Sequence, residues 1–173
     1  MKETSHKKDL SSFIYCSSRL EEMVAKAYSN IASIINDDLL RGLLTYISRD
    51  SQKHAEFFKA MCNWLNHSIE LDPKKCAELW GEKWKSVMDE AEALQKKSNI
   101  NPEELSSLIE GLGKLEGMVA EEYLTAMHIR LIELIAKDKK VDLNYCKQIL
   151  EWIIEDENRH ELILKTIKSM LTK

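Results

Sequence analysis

Glu157 and His160 stand three residues apart in a stretch that also holds Ile153, Ile163, Leu164 and Ile167. On a helix, residues i and i+3 are neighbours, so this carboxylate and imidazole share the face that the aliphatic side chains mark as inward. His54 keeps similar company, with Ile47, Phe57, Phe58 and Met61 within two turns. Glu21 shares a face with Val24, Ala25 and Tyr28, and Glu116 with Val119, Ala120 and Tyr123. A lone carboxylate in such a core costs several kcal/mol even after relaxation. Three Glu and two His placed there together require a compensating partner, and a metal cluster is the economical one. Carboxylates and imidazoles with positions left open suit iron or manganese better than zinc or calcium.

The elements that must carry these groups are helices. The chain has 173 residues with only 5 Gly and 2 Pro, and Leu, Ile, Glu, Lys and Ala abound. Helical spacing of apolar residues predicts segments over about 9–36, 38–66, 72–97, 101–137 and 141–170. Asn36-Asp37-Asp38 and Asn101-Pro102-Glu103-Glu104 are start signals, a capping residue followed by Pro or acids in the first turn. The short link near Asn36 makes the first two helices antiparallel neighbours, whereas 68–100 is too long for a turn. The expectation is an all-α four-helix bundle in one domain: a hairpin over 10–66, a crossover over 68–100 carrying a short helix, and a hairpin over 102–171. Trp80 and Trp84 of the crossover should cover the side of the bundle.

Composition narrows the function classes. Twenty-five Lys and Arg against 29 Asp and Glu give a net charge of -4, which argues against a nucleic-acid binder. No apolar run approaches the length of a membrane span, and no apolar stretch follows the charged first ten residues as a secretory signal would require. Cys16, Cys62, Cys76 and Cys146 lie far apart without a Cys-x-x-Cys pair. They are expected to be reduced thiols of a cytoplasmic protein.

The two halves repeat each other. Leu20-Glu21-Glu22-Met23-Val24-Ala25-Lys26-Ala27-Tyr28 matches Leu115-Glu116-Gly117-Met118-Val119-Ala120-Glu121-Glu122-Tyr123 at Leu, Glu, Met, Val, Ala and Tyr. The stretch from Ile47 through Asp50 and Lys53 to His54 matches Ile153, Asp156, Arg159 and His160, in the same order. With these motifs the chain resembles the ferritin-like di-iron carboxylate proteins, in their rubrerythrin and bacterioferritin branch. That pattern takes one Glu from each of two helices and a Glu-x-x-His from each of the other two. The resemblance implies Glu21 and Glu116 as terminal carboxylates, His54 and His160 as imidazole ligands, and Glu157 as a bridging carboxylate. It also implies that Asp50 orients His160 and that Asp156 orients His54. One element departs from the pattern: Ser51 stands where the family has its other bridging Glu, so the ligand charge falls from -4 to -3. Each ion would still meet three groups: Glu21, His54 and Glu157, or Glu116, His160 and Glu157.

By the same resemblance the chain would bind iron, dinuclear or mononuclear, or manganese. It would act on O2 or peroxide as an oxidoreductase or in iron handling, with a role in oxidative stress. Electrons would come from a separate donor protein, because no rubredoxin-type Cys motif is present, and a homodimer is expected. The alternative is a structural or interaction bundle whose site has degenerated to one metal or none, and Ser51 is its support. Tyr28 and Tyr123 read as core aromatics with hydrogen-bonded hydroxyls.

Overall fold

The computed structural model describes residues 2–65, 70–118 and 144–172, with 124, 125, 127, 129 and 131 between the last two segments. They form α1 (Lys2–Ile34), α2 (Asp38–Trp64), α3 (Pro73–Trp80), α4 (Glu82–Gln95), α5 (Pro102–Met118) and α6 (Asn144–Leu171), with no strand among the described residues. α1 lies along α2, α5 along α6, and α2 meets α6 across the middle, while α3 and α4 pack against α1.

The start signals act as the sequence implies. Asp37 caps α2 by accepting from the amides of Leu39 and Leu40, each at 2.9 Å. Asp72 accepts from Lys74 N at 2.8 Å, with Pro73 opening α3. Asn101 and Glu104 form a reciprocal box: Asn101 Oδ1 accepts from Glu104 N at 2.9 Å, and Glu104 Oε2 accepts from Asn101 N at 3.1 Å.

α2 and α6 each bury a stripe that advances in alternating steps of three and four, whereas α1, held between α2 and the crossover helices, buries more of its circumference. On α2 the stripe runs Leu40, Leu44, Ile47, Ser51, His54, Phe58, Met61, and on α6 Cys146, Leu150, Ile153, Glu157, His160, Leu164, Ile167. On α1 Glu21 falls between buried Ile14 and Tyr28, and on α5 Glu116 follows buried Leu105, Ile109 and Leu112. A step average of 3.5 keeps the stripe against its neighbours along the helix, which is how bundles of this kind pack. The polar groups therefore occupy core registers.

Four expectations are corrected. Phe57 and Trp152, which the helical spacing of apolar residues places inward with Phe58 and Ile153, are 39% and 52% exposed instead. Each lies one residue, about 100° of helix, from the buried member of its stripe, Phe58 or Ile153. The first helix begins near Lys2 rather than residue 9. The crossover segment is two helices rather than one, because Gly81 takes φ 85° between Trp80 and Glu82. That left-handed conformation suits glycine and ends α3. Lastly, Cys16 and Cys76 form a disulfide across 60 residues rather than remaining thiols. Spacing along the chain carried no sign of it, since α3 meets α1 only once the crossover folds back. Cys62 and Cys146 are free and buried, and burial pushes the Cys62 thiol up to about 11.

The crossover is tied down by polar contacts as well as by that bond. Trp84, 2% exposed, donates from Nε1 to Cys16 O at 3.3 Å. Asn30 Nδ2 donates to Leu94 O and Lys97 O, both at 2.8 Å, fixing the end of α4 against α1. Trp80 meets Phe13 edge to face at 4.7 Å between ring centroids.

Candidate metal centre

The stripes bring Glu21, Ser51, His54, Glu116, Glu157 and His160 into the bundle interior, and none is more than 5% exposed. Two groups of three donors converge there: Glu21, His54 and Glu157, and Glu116, Glu157 and His160, each with its ligand atoms within 4.8 Å of one another. Glu157 belongs to both. Its Oε1 lies 2.9 Å from His54 Nδ1, and its Oε2 lies 3.5 Å from His160 Nδ1. Glu21 Oε2 stands 3.7 Å from His54 Nδ1, and Glu116 Oε2 stands 3.6 Å from His160 Nδ1. The two imidazoles face each other with ring centroids 5.9 Å apart.

The opposite edge of each ring is held from the other half of the bundle. His54 Nε2 meets Asp156 Oδ2 at 3.1 Å, and His160 Nε2 meets Asp50 Oδ2 at 3.4 Å. A carboxylate there accepts the Nε2–H, so both Nδ1 atoms point into the cluster. Tyr28, 1% exposed, donates its hydroxyl to Glu116 Oε1. Tyr123 and Val119 to Glu122, which complete the repeat on the second half, lie outside the described residues.

These donors fit a metal better than they fit each other. His54 Nδ1, His160 Nδ1, Glu157 Oε1 and Ser51 Oγ are buried without a well-aligned hydrogen bond. Two donors at right angles on one first-row ion, each about 2.1 Å from it, stand about 3 Å apart. His54 Nδ1 and Glu157 Oε1 have that separation, at 2.9 Å, without the alignment of a hydrogen bond. Buried polar atoms left in this way need a further partner.

The charges tell the same story. Burial pulls the His54 imidazole down, but the Glu157 and Glu21 carboxylates outweigh it and push it up to about 10. Burial likewise lowers His160, while Glu116 and Glu157 push it up to about 11. Burial, then Glu21 and Glu116, push Glu157 up to about 8. Burial also raises Glu116, but Glu157, His160 and Tyr28 together hold its carboxyl below the usual range. Metal-free, the cluster is a set of carboxylates neutralised by protons on His54, His160 and Glu157, titrating as one unit. A cation can displace those protons.

Sequence reasoning assigned no role to Lys53. Its ammonium lies 2.8 Å from Asp50 Oδ1 and 3.2 Å from Asp156 Oδ2. The signal was present in the repeat, where Lys53 matches Arg159 one residue before each imidazole.

Among the described residues no helix is long and apolar enough to cross a membrane. Compared with known proteins, the chain is matched by the model of the Rubrerythrin family over residues 13–168. No curated protein and no solved structure gives a significant match.

Proposed function

The chain belongs to the rubrerythrin family by that match, and on that premise we propose that it holds two iron or manganese ions in the bundle core and reduces O2 or peroxide there. The observation that carries the reading is the pair of three-donor groups joined through Glu157. Glu21 and His54 would serve one ion, Glu116 and His160 the other, and Glu157 both. Two ferrous ions side by side supply two electrons together, so peroxide can be reduced without releasing a radical.

The protein's own part is to orient, exclude water and hold protons. Asp156 and Asp50 keep each Nε2–H occupied, leaving Nδ1 as the donor. Tyr28 neutralises one lone pair of Glu116. Buried Phe58, Ile47, Ile153 and Leu164 close the core around the cluster and keep the local dielectric low. Ser51 brings no charge, so three carboxylates face two divalent ions, and affinity is lower than with a fourth. Reducing equivalents come from a separate donor protein, and the chain functions as a homodimer.

Ser51 supports a second reading, a bundle that keeps the fold and has given up the chemistry. Metal analysis after anaerobic incubation with ferrous iron separates the two, followed by stopped-flow mixing with O2 or H2O2. About two ions per chain and rapid oxidation support the proposal. About one confines it to a mononuclear site, and none overturns it in favour of the interaction bundle.

A further inference from the structure

The two halves carry one five-residue frame, Asp50-Ser51-Gln52-Lys53-His54 and Asp156-Glu157-Asn158-Arg159-His160. Lys53 and Arg159 hold matching places in it, yet they do different things. Arg159 Nη1 stays with Asp156 Oδ1 on its own helix, at 2.5 Å, and reaches the Tyr46 hydroxyl at 3.5 Å. Lys53 Nζ binds Asp50 on its own helix and also crosses from α2 to Asp156 on α6, at 2.8 and 3.2 Å. Those two aspartates are the ones that face the imidazole Nε2 atoms. One ammonium therefore closes a strap that runs His160, Asp50, Lys53, Asp156, His54.

The strap lies between the interior and solvent. Both imidazoles are fully buried, the aspartate side chains are 14% and 15% exposed, and that of Lys53 is 46% exposed. The two carboxylates repel each other across the α2–α6 seam. Asp156 has Arg159 as a second cation, whereas among the described residues Lys53 is the only Lys or Arg in ion-pair reach of Asp50. Without the ammonium Asp50 would keep only His160, and Asp156 only His54 and Arg159, so no cation would bridge the two carboxylates against their repulsion and each would hold its imidazole less firmly.

We propose that Lys53 is a positioning residue that couples the two halves of the centre by pinning both imidazole-orienting aspartates at once. Its effect on metal affinity rests on the proposed function, but the strap itself is a property of the metal-free chain. Arg159, its counterpart in the repeat, supports the His54 side alone.

The test uses the full chain with 15N-labelled histidine and the variants Lys53→Met, Lys53→Arg and Arg159→Met. In metal-free protein, Lys53→Met should speed solvent exchange of both Nε2–H protons at least about tenfold, as expected when a protecting hydrogen bond opens. Arg159→Met should affect His54 alone. Lys53→Arg, whose guanidinium fork can span two carboxylates, should stay near wild type. Cobalt(II) titration, followed by its visible absorption, should then show both affinities lowered about 10–100-fold in Lys53→Met. Unchanged exchange in Lys53→Met, or a change at His160 alone, overturns the coupling, as does unaltered cobalt affinity at both positions. A wild type that takes up no cobalt refutes the proposed function, while the exchange measurement still decides the role of Lys53.

Discussion

Replacing Glu157 by Gln should make the metal-free protein more stable while abolishing metal uptake at the proposed centre. Glu157 is 1% exposed, and burial with Glu21 and Glu116 pushes its carboxyl from 4.5 up to about 8. Its folded pKa is raised, so its contribution to stability is complete below pH 4.5 and is lost as the pH climbs to about 8. Within that window the folded chain retains a proton that the unfolded chain has released, at about 1.4 kcal/mol per pH unit. At pH 7 the cost is on the order of 3 kcal/mol. Gln does not titrate, and its amide can donate toward Glu116 where Glu157 shares its proton, while its carbonyl stays beside His54 Nδ1. The variant should match wild type near pH 4.5 and exceed it by roughly 6–12 °C in Tm at pH 7, for a chain of this size. Thermal unfolding of chelator-treated protein across pH 4.5–8 measures this. Adding ferrous iron or manganese anaerobically should raise the wild-type Tm and leave the variant unmoved, because the amide cannot serve either donor group. A metal-free variant less stable than wild type at pH 7 would refute the charge argument. Retention of two ions per chain would refute the assignment of Glu157 to both groups.

Ser51→Glu should act in the opposite sense: a fourth buried carboxylate lowers metal-free stability by several kcal/mol and tightens metal binding, read as a larger metal-induced rise in Tm. Equal stability with and without metal in that variant would place residue 51 away from the cluster. Asp156→Asn should weaken the His54 side most, by about 10–100-fold in metal affinity, because Nε2–H loses its charged acceptor. Stepwise cobalt titration resolves the two positions. Cys76→Ser releases a cross-link spanning 60 residues, which the chain-entropy relation values at about 4 kcal/mol. Urea unfolding of the variant against oxidised and reduced wild type checks it, and a variant as stable as oxidised wild type would contradict the pairing.

How much was legible follows from which rule each feature obeys. The bundle helices, their caps and the polar residues within their stripes all obey local rules, the 3.5-residue repeat and the capping preferences, so residues 47, 51, 54, 58 and 61 could be placed on one face without coordinates. Phe57 and Trp152 were misjudged because an apolar side chain is no guarantee of burial, and only the register of the packed stripe decides between adjacent residues. Gly81 was unremarked for a related reason: a single glycine is tolerated inside a helix, and its positive φ is set by where α3 and α4 must each pack.

The repeat exposed the donor set because a buried charge needs a partner, and that requirement is written in residue types alone. What the chain order could not contain is contact between helices. The crossing of Lys53 from α2 to Asp156, the hydroxyl of Tyr28 on Glu116 of the opposite half, and the bond between Cys16 and Cys76 each join residues 60 or more positions apart. Local periodicity fixes the face a side chain takes, but it says nothing about which face of which helix lies opposite. Only the packed bundle decides that.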